Sequence, residues 1–182
     1  MRKISWVIAA AALILMGADL NAQQKKPAKD SKAEEEVMYL WPVTPPAGWF
    51  HNREGSRKVG LQVMTSKPTD ADALIYVEAS LLRDDLVFSK IVAAAADDLR
   101  RSSRNTKVTK MPEVARKNGK PPFQVFRIEN PSKPHQPLEF IAYGQATDAD
   151  GTKFALTVTI AGHEARVIEG YGEIYRAFLA AH

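Results

Sequence analysis

Phe154, Leu156, Val158 and Ile160 place apolar side chains at every second position, and no other feature constrains this chain as tightly. A period of two puts all of them on one face of a strand, so the chain must build a sheet and bury that face. The segment 73–82, ALIYVEASLL, repeats the pattern around Ile75, Val77 and Ala79 and is rich in strand formers. Residues 61–65 read as a further strand, and the SKPTDAD connection between these two carries the Pro and Asp of a loop.

Hairpins follow. Residues 138–146 and 153–160 flank a turn at 148–151. Residues 107–115 and 123–129 flank Asn118-Gly119, a two-residue hairpin signal. Pro112 makes the first strand of that pair an edge strand or one with a bulge. Residues 130–137, NPSKPHQP, form a proline-rich loop.

Two segments have helical spacing. In 85–103, Phe88, Ile91, Val92, Ala95 and Leu99 recur three and four apart. Asp84 or Asp85 caps the start, Arg100, Arg101 and Arg104 crowd the end, and Asp97 faces Arg101 at i,i+4. In 164–180, Val167, Ile168, Tyr171, Ile174, Tyr175, Phe178 and Leu179 form one wide stripe. Gly170 and Gly172 weaken that helix, and close approach to a sheet is the expected compensation. Tight hairpins imply antiparallel neighbours. The expected class is α+β, an antiparallel sheet with two main amphipathic helices packed against it.

The N-terminus reads as an address. Arg2 and Lys3 precede an apolar run from Ile4 to Ala18, interrupted by Ser5 and Gly17. Fifteen positions are short for a bilayer core of about 30 Å, and the pattern fits a secretory signal peptide over 1–22, cleaved after Ala22. Residues 23–36, QQKKPAKDSKAEEE, cannot build a core and read as a charged flexible linker. A single domain over 37–182 follows. The expected location is periplasmic or secreted, with no transmembrane span in the mature chain. At 45% hydrophobic and 25% charged, the composition excludes collagen-like, fully disordered and polytopic membrane classes. The absence of cysteine excludes disulfides, cysteine nucleophiles, thiolate zinc sites and a lipoprotein anchor.

From Trp41 onward the chain resembles the PsbP-like fold family. Pro46-Ala47-Gly48-Trp49 opens the domain, followed by two strands, the 85–103 helix, successive hairpins and a closing helix. The resemblance implies a non-catalytic binding or assembly role and assigns no binding residue.

Catalytic signatures fail one by one. Gly55-Ser56 lacks the second glycine of a nucleophile elbow, and His163-Glu164 meets Val167 where a zinc protease needs its second histidine. Asp148-Ala149-Asp150-Gly151 reads as a hairpin turn. Aligned as a calcium loop, it would put Ala146 and Thr157 at the acidic positions. Gly170-Tyr171-Gly172 lacks the third glycine of a dinucleotide fingerprint. No catalytic residue, metal ligand or cofactor is assigned. The alternative is a small periplasmic enzyme that joins His51, His135 or His163 to a carboxylate only in three dimensions.

Charge placement is the remaining signal. Arg100, Arg101, Arg104, Lys107, Lys110, Arg116, Lys117 and Lys120 face only Glu113 between residues 100 and 120, a local charge of +7. The whole chain carries +4. Such asymmetry steers anionic partners. An anionic envelope component or a protein partner fits. Nucleic acid does not, because no aromatic side chains interleave with these cations. The competing structural reading has edge lysines blocking strand-to-strand aggregation and arginines complementing a helix dipole.

Overall fold

The computed structural model describes residues 41–82, 87–102, 105–132 and 136–182. The expected signal peptide and linker, Asp84, Asp85, Arg104 and His135 lie outside the described residues. The elements are β1 (Phe50–His51), α1 (Arg53–Val59), β2 (Gln62–Thr65), β3 (Ala73–Leu81), α2 (Phe88–Ser102), β4 (Lys107–Lys110), β5 (Gln124–Glu129), β6 (Leu138–Thr147), β7 (Lys153–Gly162), α3 (Ala165–Gly170) and α4 (Gly172–Ala181). The strands form one sheet in the order β1-β2-β3-β7-β6-β5-β4, with every neighbouring pair antiparallel. The chain is an α+β domain, as its alternation and hairpin signals require.

β7 lies at the centre, paired along its whole length with β3 on one side and β6 on the other. The register aligns Ile75 with Ile160 and Val77 with Val158, and Val158 in turn with Ala142. These side chains share one face, and α3 and α4 cover it with Ile168, Tyr175, Phe178 and Leu179. Tyr175 is fully buried there, and its hydroxyl donates to the Val158 carbonyl at 2.7 Å, which satisfies the polar end of an otherwise apolar side chain. The opposite face is covered in two separate places. α2 lays Val92, Ala95 and Ala96 over Phe126, Ile128, Ile141 and Tyr143, while Val59 of α1 packs near Val63 and Tyr76.

Four sequence expectations are corrected. The closing helix is two helices, broken at Tyr171 between Gly170 and Gly172. Neither glycine is held by close approach, since a Cβ at either would meet nothing within 4 Å. The break turns Tyr171 onto Trp49, with ring centroids 5.2 Å apart and edge-on geometry. The close approaches occur instead at Gly144, where a Cβ would overlap the Phe123 ring, and at Gly162, where it would overlap the Asp72 carbonyl.

The Asn118-Gly119 turn is not a two-residue hairpin. Lys117–Gly119 form a short 3₁₀ turn with Gly119 at φ 68°, β4 ends at Lys110, and beyond Met111 only the Val114–Phe123 bridge continues the pairing. Pro112, Pro121 and Pro122 flank this turn and cannot donate to a ladder, so the strands part before they reach it. β4 is nevertheless an edge strand, as Pro112 required. The helix expected over 85–103 begins at Phe88, and its end pairs Arg100 with Asp97 at 2.8 Å and Arg101 with Asp98 at 2.6 Å, both i,i+3 rather than i,i+4.

The second hairpin turn is as expected. Asp148 Oδ1 accepts from the amides of Asp150 and Thr152, and Gly151 takes φ 84°. The acids of DADG thus shape a turn.

Gly144→Ala should lower unfolding stability by about 2 kcal/mol through overpacking against Phe123. Gly170→Ala, with open space around it, should raise stability by about 0.5 kcal/mol through helix propensity. Urea denaturation of the two variants checks both signs.

Candidate functional site

The basic segment is spread by the fold over three places. Arg100 and Arg101 end α2, each already paired with an aspartate one turn back. Lys107 and Lys110 lie on β4, the outermost strand of the sheet. Lys117 and Lys120 belong to the exposed 3₁₀ turn beyond it, where Lys120 Nζ donates to the main-chain oxygen of His182 at 3.1 Å. Lys107 and Lys110 remain 70% and 57% exposed, with only long contacts to Glu129 (3.7 Å) and Glu113 (3.5 Å). At those separations in solvent the pairs neutralise little. β4 therefore presents two exposed cations that are only loosely paired, beside the exposed turn lysines and the aspartate-paired arginines of α2.

Arg116 does not belong to that surface. It is 8% exposed, and its guanidinium stacks over Phe123, 4.5 Å from the ring centroid. It donates to the carbonyls of Pro121 (3.4 Å) and Gln145 (2.5 Å) and to the main-chain oxygen of His182. Burial lowers its pKa below the ordinary guanidinium value. Its Nε is buried without a partner. The sequence expectation of a binding cation is thus corrected to an internal clamp: it ties the β4–β5 connection, the end of β6 and the end of α4 together. Composition cannot reveal this, because the acceptors are main-chain oxygens, one nearby at Pro121 and two far along the chain at Gln145 and His182.

His182 closes the same corner. Its Nε2 accepts from the Thr44 amide at 3.1 Å, its Nδ1 lies 2.9 Å from the Phe178 carbonyl, and its ring stacks on Phe178. Trp41 packs on Phe154 close by in the core. The approach to the domain and its last helix are held against one another.

The second notable locus is a polar band on the face shared by α1 and α2. Cross-strand register places Glu78, Thr157 and Tyr143 in one row, Tyr76, Thr159 and Ile141 in the next, and Leu74, Ala161 and Glu139 in a third. Glu139 is 5% exposed, Tyr76 and Thr159 are buried, and Glu78 is half-buried. Burial raises the Glu78 carboxyl, and a long hydrogen bond from Ser80 opposes the shift weakly. Burial, with the Glu139 charge, pushes the Tyr76 phenol up to about 12, and burial with both glutamates does the same for Tyr143. The signal in the sequence is faint: glutamates alternating with apolar residues read equally as a solvated face.

The described histidines do not converge on this band. His51 is exposed on β1, three strands from β7, and His163 is exposed just beyond the end of β7. Among the described residues no three His, Asp or Glu side chains are placed to hold a metal ion, and no helix is long and apolar enough to cross a membrane. The chain matches no family model, no curated protein and no solved structure.

Removing the Arg116 clamp strands its acceptors, so Arg116→Met should cost about 2–3 kcal/mol in chemical denaturation. The double variant Lys107→Gln/Lys110→Gln should change stability by less than about 0.5 kcal/mol. For Glu78, whose pKa is higher folded than unfolded, the contribution to stability is present below about pH 4.5 and is lost as pH rises through the folded-state value. Glu78→Gln should therefore be more stable than the parent at neutral pH, with the difference shrinking towards pH 4. Thermal melts of both proteins across that range read the sign.

Proposed function

We propose that this chain is an exported, non-catalytic binding module of the cell envelope, and that it holds an anionic partner along the open basic edge of its sheet. The observation that carries the reading is β4. It is an edge strand whose two lysines are exposed and only loosely paired. Export is supported by the basic and apolar sequence of residues 1–22 and by the charged stretch 23–36, which separates it from the domain. The PsbP-like resemblance rests on element order: three early strands with α1 after the first, then α2, four successive antiparallel strands and two closing helices.

The deciding experiment isolates the chain from its own envelope fraction at low and at high salt. A partner retained at low salt and released at high salt is expected. Lys107→Glu/Lys110→Glu should abolish that retention while leaving the melting temperature within a few degrees of the parent. Retention unaltered by the double reversal would remove β4 as the contact surface. A partner held equally at both salt concentrations would remove the electrostatic reading.

A further inference from the structure

The ladder between β4 and β5 fixes which main-chain groups of β4 point away from the sheet. Met111, just past the strand, donates its amide to the Val125 carbonyl at 2.8 Å. Hydrogen-bonded pairs alternate in an antiparallel ladder. Thr109 opposite Arg127 and Lys107 opposite Glu129 are therefore the inward-bonding pairs. Val108 and Lys110 aim their N–H and C=O groups outward. Among the described residues no strand lies on that side. Such an edge is a template for another strand.

Side-chain alternation adds a charge code. Val108 packs with α2 on one face, so Lys110 shares that face, while Lys107 and Thr109 project on the α3–α4 side. A second copy of β4 would crowd the lysines of both copies along one seam, so the edge resists pairing with itself. An incoming strand with acidic residues three positions apart would place one carboxylate on each face, opposite Lys110 and Lys107. The same lysines that exclude self-pairing select such a strand.

We infer that β4 recruits an extended acidic segment of a protein partner as an eighth strand of the sheet, recognised by the outward main-chain groups of Val108 and Lys110 and by carboxylates meeting Lys107 and Lys110 from opposite faces. This rests on the reading of β4 as the contact surface and narrows it from any polyanion to a polypeptide.

The test titrates the full chain with the blocked peptide acetyl-TVEVTEVT-amide, whose acids stand three apart, at low salt. The peptide should bind and should slow hydrogen exchange at the Val108 and Lys110 amides. N-methylation of alternate residues should abolish binding in one frame and spare it in the other, because only one frame faces β4. Lys110→Pro should bind about ten-fold more weakly than Lys110→Thr, since both lose the charge but only the first loses the outward donor. The peptide-side frames test the same point if the proline variant does not fold. Equal binding of both methylated frames, or unchanged exchange at Val108 and Lys110, overturns strand addition and leaves the charge reading intact. No peptide binding, with salt-sensitive binding to vesicles of anionic lipid, assigns the edge to headgroups and overturns the polypeptide. No effect of Lys107→Glu/Lys110→Glu on any probe overturns the contact surface itself.

Discussion

The pairing of β7 with both β3 and β6 is the constraint on which the rest of the domain depends. β6 and β7 are joined by a short turn and form locally. β3 reaches β7 only after the chain has passed through α2, β4, β5 and β6. That long-range pairing brings Ile75 and Val77 beside Ile160 and Val158 and so creates the apolar face that α3 and α4 require. A slip of one residue in β3 would turn Tyr76 and Glu78 towards the core and Ile75 and Val77 away from it. The Tyr175 hydroxyl on Val158 then places α4 over this central strand. The closing helices cannot be positioned before the sheet is complete, so loop closure is paid in full before the main core is gained.

Where local pattern and burial agree, the sequence was legible. β3 and β7 carry the expected period-two apolar positions, β2, β5 and β6 fall within the segments expected as strands, and α2 shows the expected spacing, because each buries an apolar face against a continuous neighbour. α1 escaped because Arg53–Val59 has one apolar side chain, Val59, and no stripe. Its stability comes from ends and contacts: the Asn52 side chain accepts from the Gly55 amide, Gly60 closes the helix at φ 72°, and buried Ser56 links the Asn52 carbonyl to the Val63 amide. The split at Tyr171 was masked by the same stripe that revealed the helices, since both halves keep their apolar residues in phase. The eight cations of the basic segment could be counted, but their division into paired, internal and exposed groups depends on partners far away in the chain.

Arg116 shows why a local charge count misleads. A guanidinium with main-chain acceptors and an aromatic face against it is a cross-link between segments. Subtracting it, and treating Arg100 and Arg101 as helix-end pairs, leaves, among the described residues, Lys107, Lys110 and the exposed turn lysines as the loosely paired groups that solvent meets. The field is weaker than sequence arithmetic implied and better focused on one edge of the sheet.

The two notable loci differ in what holds them in place. In the polar band, Glu139 and Glu78 sit among phenols and threonines on strands that are paired on both sides, so their positions follow from the ladder and their desolvation is borne by the sheet as a whole. At the edge the reverse holds. β4 is paired on one side only and ends four residues after it begins, as Pro112 interrupts the ladder. Burial and register thus make the band a rigid, costly feature, whereas the edge has main-chain groups without strand partners and charges without close ones. Recognition by addition needs the second condition, because a new strand must find donors and acceptors that the fold has not already used. Within this domain β4 is the longer of the two terminal strands, since β1 at the other end has only two residues, and it is the one whose own side chains carry one lysine to each face.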